Sequence, residues 1–288
     1  MNALHAACLA LALSACGLEA PADSAPPATR PAPPEAAPPD APPASPYRFD
    51  RPAARFELPD ELVEISGLTV LDDGSLGAIQ DEDGDLYVLS PETGRVTAVV
   101  PFGPPGDYEG IELVGDRLFV LRADGAVLEL DGWAGGEARA TTYETGLGAK
   151  ACDAEGLGTD GQRLLIACKK DDDDGLNRVY AFDLAANALV PDPVFTLGRD
   201  EVPGEKSLRP SALAVHPVTG HTVVLSSKRE ALVSLDASGA VVDVWDLGPA
   251  AFEQPEGLAF LPNGDAFVSS EGGDGPAVLV RFAYEPAP

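Results

Sequence analysis

Carboxylates recur in this sequence at a fixed offset from small residues. Asp107 and Glu109 lead into Gly110, Asp153 and Glu155 into Gly156, and Gln254 and Glu256 into Gly257; Glu64 with Ser66 and Arg209 with Ser211 stand in the same way before Gly67 and Ala212. If the fold gathers them, such residues can do three kinds of chemistry. They can close ion pairs with nearby Lys or Arg, hold a hard cation such as calcium, which takes about six to eight oxygen ligands, or act as general acid or base. Familiar nucleophile signatures do not accompany them. There is no G-x-S-x-G, no H-E-x-x-H and no phosphate-binding Gly-rich loop, and the acidic run 171–174 before Gly175 lacks the distal Glu of an EF-hand. His5 lies in the amino-terminal apolar run, and His216 and His221 flank the 217–220 turn, so a hydrolase centred on His is not expected.

The elements that must position these residues follow from the repeat itself. The small residues at 67, 110, 156, 212 and 257 are 43, 46, 56 and 45 positions apart, a period that marks propeller blades when it is filled with short strands. Each unit runs strand, Asp/Gly turn, strand, Gly loop, strand, turn, strand. In the first these fall at 65–71, 76–80, 86–90 and 96–102. Three further units follow the same grammar from 110, 156 and 212. The fifth has only three strands in line, 257–261, 266–269 and 278–282, and its missing outer strand is supplied by 55–58, upstream of the first unit. The sequence therefore predicts an all-β, five-bladed β-propeller with four antiparallel strands per blade, the ring closed by the N-terminal strand.

Innermost strands of such a ring crowd a central channel, which explains the small residue at each anchor. Period-2 alternation puts Leu68, Ile111, Leu157, Leu213 and Leu258 on one side together with the polar residue two positions earlier. Innermost strands start at the face where second strands end, so one rim collects two rings. The first is Glu64, Ser66, Asp107, Glu109, Asp153, Glu155, Arg209, Ser211, Gln254 and Glu256; the second is Asp81, Glu82, Arg122, Lys169, Lys228 and Glu271. Glu109, Glu155 and Glu256 are the candidate ligands for a calcium ion in or near the channel. Glu109 with Arg122, and Glu155 with Lys169, lie across the same hairpins and would instead serve as ion-pair latches.

Several stretches together resemble one family: EISGL (64–68), DEDGDLYVL (81–89), DYEGIEL (107–113), EGL (155–157) followed by LLIACK (164–169), RPSALAVHPVTG (209–220), and QPEGLAF (254–260) followed by SSEG (269–272). The set is similar to the SdiA-regulated (YjiK-like) family of bacterial envelope β-propellers over about residues 56–282. That resemblance implies a propeller in the bacterial envelope. It implies no settled activity, because the family is known by regulation and fold more than by chemistry.

The amino terminus agrees with that address. Residues 3–15 form an apolar run too short to span a bilayer but suited to a signal-peptide core, and Leu13-Ser14-Ala15-Cys16 resembles the bacterial lipobox, whose Cys becomes the lipidated first residue. Gly17, in place of Asp, points to the outer membrane. The reading is a lipoprotein signal peptide at 1–15, lipid attachment at Cys16 with a disordered Pro/Ala-rich linker to 46, and the propeller at 47–288. With Cys8 and Cys16 assigned to the signal region, Cys152 and Cys168 are the remaining pair. They lie on either side of the Asp160-Gly161 turn, within one residue of opposition, and export to an oxidising compartment predicts a disulfide between them.

Against 47 acidic side chains stand 19 basic ones, and the net charge of -28 repels nucleic acid at long range. Lipid anchoring makes the membrane the expected partner, and the chain is read as a monomer. Two functions remain open. One is an envelope-tethered binding module that takes a small polar ligand, a peptide or a partner at the channel rim. The other is a calcium-dependent hydrolase of esters or phosphoesters, in which the cation polarises an oxygen and a rim carboxylate positions water.

Overall fold

Short runs rich in Val, Leu and Ile, broken every few residues by Asp, Asn or Gly, cannot sustain a helix and instead fold back on themselves. At the first turn Asp73 Oδ1 accepts from both the amide and the hydroxyl of Ser75, while Gly74 takes a φ of 83°. Asp236 treats Ser238 identically beside Gly239, at a φ of 85°. These are side-chain-stabilised turns that set hairpin after hairpin.

The computed structural model describes residues 45–170, 175–198, 201–202, 206–248 and 252–286. The expected signal peptide, Cys16 and nearly all of the expected linker lie outside the described residues. The first blade comprises Ile65–Val70, Leu76–Gln80, Asp85–Leu89 and Val96–Pro101; the second, Tyr108–Val114, Arg117–Arg122, Val127–Asp131 and Arg139–Tyr143. The third is Ala154–Thr159, Arg163–Cys168, Leu176–Asp183 and Phe195–Gly198, with a two-residue addition at Ala188–Leu189. The fourth is Pro210–Val215, Thr222–Ser226, Ala231–Leu235 and Val241–Asp246. Gln254–Phe260, Ala266–Glu271 and Val278–Phe282 make the fifth, and Ala54–Glu57 pairs antiparallel with the last of these, so the propeller has five blades closed by its N-terminal strand.

Burial follows this geometry. Five hydrophobic clusters are found, each drawn from two neighbouring blades, so the blades are glued face to face around the ring. Close to the channel the glue is a Leu or Ile opposite a Gly. A Cβ on Gly110 would lie 2.6 Å from the Leu157 Cβ, and one on Gly257 would lie 2.8 Å from Leu68 Cγ. Only glycine leaves room for that approach.

Two other features anchor the ring. Cys152 and Cys168 are joined by a disulfide, with Cα atoms 4.7 Å apart. Thr159 pairs with Leu164, not Gln162, and Cys168 faces Ala154, so the bond runs diagonally across a wider turn and a bulge located at Glu155 rather than in the turn. On the opposite face His216 is buried, as a turn residue: its Nδ1 accepts from the amides of Val218 and Thr219, both at 3.2 Å. That fixes the proton on Nε2, which donates to Tyr47 Oη at 2.8 Å, and Tyr47 in turn donates to Gly264 O at 2.7 Å. The chain is thereby fastened to the propeller ahead of its first strand.

Candidate ligand and cation centre at the channel rim

One residue near the start of every innermost strand has no cross-strand partner. Register passes from Ile65 to Gly67, from Tyr108 to Gly110, from Ala154 to Gly156, from Pro210 to Ala212 and from Pro255 to Gly257. The residues skipped are Ser66, Glu109, Glu155, Ser211 and Glu256. Each is the extra residue of a β-bulge, a device that re-aims a side chain and interrupts strict alternation.

This overturns the expected alternation. Ser66 Oγ donates to Tyr108 O of the following blade at 2.7 Å and Ser211 Oγ to Pro255 O at 2.8 Å. Leu68 instead packs on Gly257 of the preceding blade, and Leu213 on Gly158. The polar residue and its Leu therefore face opposite ways, because the inserted residue shifts the side-chain phase by one. The two serines tie blade to blade.

The three glutamates at this position have no such partner and turn to one another. Glu109, Glu155 and Glu256 each offer a carboxylate oxygen, all lying within 4.8 Å of one another. Glu155 is only 4% exposed and Glu256 only 2%. Lys169 Nζ donates to Glu155 Oε1 at 2.9 Å, while Glu155 Oε2 and Glu256 Oε1 are buried without a hydrogen-bond partner. Burial, with the Glu155 and Asp107 carboxylates beside it, pushes Glu109 up to about 10. Burial and Glu155 raise Glu256 to about 8. Glu155 is raised by burial and pulled back by Lys169. Burial disfavours the Lys169 ammonium, but Glu155 and Glu256 outweigh it and its pKa rises.

Of the two expected latches, Glu155 with Lys169 forms and Glu109 with Arg122 does not. Arg122 lies opposite Tyr108 rather than beside the bulge, and its guanidinium binds Asp124. Among the described residues Glu109 is left without a cation of its own.

Around the triad the remaining rim residues divide by blade. Gln254 Nε2 donates to Glu271 Oε1 at 2.8 Å. Burial together with Asp81 and Glu64 raises Glu271 to about 7, and burial with Glu64, Glu82 and Asp107 raises Asp81 to about 6. Asp81 Oδ1 is a further buried oxygen without a partner. Asp153 pairs with Lys170 at 3.3 Å. Arg209 and Lys228 are exposed and form no ion pair among the described residues. Sequence reasoning passed over Ser269, whose unpartnered Oγ lies 2.2 Å from where a Cβ on Gly257 would stand. It also missed Glu112, raised by burial to about 8; its one visible sign was a charge inside the apolar run of an innermost strand.

No family model matches the chain, and no curated protein matches it. Solved structures do. The glutaminyl cyclase of Myxococcus xanthus superposes with a TM-score of 0.58 at 17% identity, over 83% of this chain and 97% of that one. A luciferin-regenerating enzyme gives 0.51 at 13%, over 80% and 95%. The PQQ-bound aldose sugar dehydrogenase of Streptomyces coelicolor gives 0.50 at 15%, over 80% and 97%. Similarity at this level establishes the propeller fold.

Proposed function

We propose that this chain is an envelope-tethered propeller of the YjiK-like kind, anchored through Cys16, whose channel rim is a binding centre for a small polar ligand built around a hard cation. One observation carries the reading. Two buried carboxylate oxygens, on Glu155 and Glu256, have no partner inside a triad of carboxylates. Leaving such groups buried and unpaired is costly, and like charges raise the cost. Calcium, which prefers several oxygens, relieves both penalties at once. Glu109, Glu155 and Glu256 would hold it, with Lys169 balancing the remaining charge. The motif set from 64 to 272 supports the family, and Leu13-Ser14-Ala15-Cys16 supports the anchor.

A ligand bound only to the native state raises the melting temperature by mass action. Calcium at millimolar concentration should raise it by several degrees and a chelator should reverse the gain, whereas Glu109→Gln with Glu155→Gln should respond to neither. A metal-free preparation with a chelator-insensitive melting curve would replace this reading with plain ion-pair latching. A hydrolase is the second reading, and it has its own observation: Glu109, pushed up to about 10, adjoins the Glu155–Lys169 pair. Carboxyls with separated pKa values are what acid and base roles require. An ester and phosphoester screen with and without chelator tests it.

A further inference from the structure

On the face opposite the channel rim, between the first and second blades, lies a cavity of about 660 Å³, a volume within the range that holds small molecules. Its origin is local. The loop between third and fourth strands spans 90–95 in the first blade and 236–240 in the fourth; in the second it spans 132–138, slightly longer, and carries Gly132-Trp133-Ala134-Gly135-Gly136. Gly132 and Gly136 take φ values of 76° and 83°, a left-handed conformation that glycine adopts freely, and between them Trp133 opens a 3-10 turn. This lifts the half-buried Trp133 into a wall of the cavity. The floor is aliphatic: Leu71, Val88, Val100 and Leu130.

The rim of this cavity is acidic. Asp72, Asp73, Asp116 and Asp131 line it, all four exposed. Its one cation, Arg117, is already engaged: Nε and Nη2 donate to the two oxygens of Glu129 at 2.6 and 3.0 Å, and Nη1 donates to Leu184 O at 3.2 Å. An aliphatic floor, an indole wall and four carboxylates fit one kind of occupant. We infer that this cavity binds an organic monocation with an apolar body, an aryl- or alkyl-amine, whose head lies among the aspartates and whose body covers Trp133. The indole face offers the apolar body a large contact area, and the surrounding acids exclude anions of the same shape.

The test uses three molecules with one body and different heads: 4-phenylbutylammonium, 4-phenylbutanol and 4-phenylbutyrate. Trp245→Phe leaves Trp133 as the one fluorophore of its type, because the chain has 2 Trp. The ammonium should perturb its emission saturably, bind at least tenfold more tightly than the alcohol, and weaken as salt screens the aspartates, while the butyrate does not bind. Asp116→Asn with Asp131→Asn should weaken the ammonium at least fivefold and flatten its salt dependence, and Trp133→Leu should abolish its calorimetric signal. An unchanged melting temperature in the variant of the exposed Asp116 and Asp131 would confirm that its folding is intact. Failure of the ammonium to saturate, equal binding of the butyrate, or unaltered affinity in the aspartate variant would each overturn the inference.

Discussion

Protons and cations compete for the channel glutamates, and the direction of that competition can be worked out. Glu109, Glu256 and Glu271 have folded pKa values of about 10, 8 and 7, above the usual carboxylate range. A carboxyl raised on folding contributes stability that is complete below its unfolded pKa and is lost as pH rises through the folded value. His216 works from the other side. Burial lowers it to about 4, so its contribution is complete above about pH 6.5 and is lost as pH falls toward 4. In chelator, three raised carboxyls outweigh the one histidine above the unfolded carboxylate pKa, so the melting temperature should peak at about pH 4 to 5 and decline toward pH 9. Calcium should flatten that alkaline decline and release protons on binding, which a weakly buffered titration reads directly. An alkaline decline that calcium leaves untouched would mean that the triad binds no cation.

The innermost strands show how little room an element has for change. At Gly110 an added Cβ would lie 2.6 Å from Leu157 Cβ and 3.2 Å from the Glu155 carbonyl oxygen. Gly110→Ala should therefore cost about 1–3 kcal/mol and blunt the calcium response by displacing the Glu155 bulge. Gly135→Ala, where nothing lies within 4 Å, is the control and should be close to neutral in urea denaturation. The third blade has a covalent staple as well. The Cys152–Cys168 bond spans 16 residues, and closing a loop of that size is worth roughly 3 kcal/mol in the chain-entropy model. Cys152→Ser with Cys168→Ser should lower the denaturation midpoint accordingly. Wild-type protein alkylated without reduction should show both cysteines unmodified by mass spectrometry.

Closure defines the whole molecule. Ala54–Glu57 bonds to Val278–Phe282, so the ring is complete only when the two ends of the propeller sequence meet. The five inter-blade cores then depend on one another, since each blade contributes to two of them. Such a chain of non-local contacts folds slowly, and a net charge of -28 keeps partly closed species apart in the meantime. The chain enters the closing strand from the Tyr47–His216 clasp, and the proposed anchor at Cys16 has its own test. Labelled palmitate should enter the full-length protein, and Cys16→Ser should abolish labelling and release the protein from membranes. Equal labelling in the variant would end the lipid-anchor proposal.

The repeat of small residues, the Asp/Gly turns and the orphan strand upstream determined the five-bladed fold by themselves, because turn chemistry and strand periodicity are local properties of the chain. The Cys152–Cys168 pairing was legible from two cysteines flanking one hairpin turn, but its register was not, since Thr159 faces Leu164 and the bulge lies at Glu155. Tertiary structure alone decided where the rim side chains point. Ser66, Glu109, Glu155, Ser211 and Glu256 are bulged residues, and a bulge arises where an innermost strand must bend against its neighbour's backbone, which no pattern within a single strand records. That one-residue shift separates each polar side chain from its Leu or Ile, sends Arg122 to Asp124 instead of Glu109, and brings carboxylates from the second, third and fifth blades within 4.8 Å of one another. Their proximity is a product of ring closure, where residues distant in sequence meet at the axis.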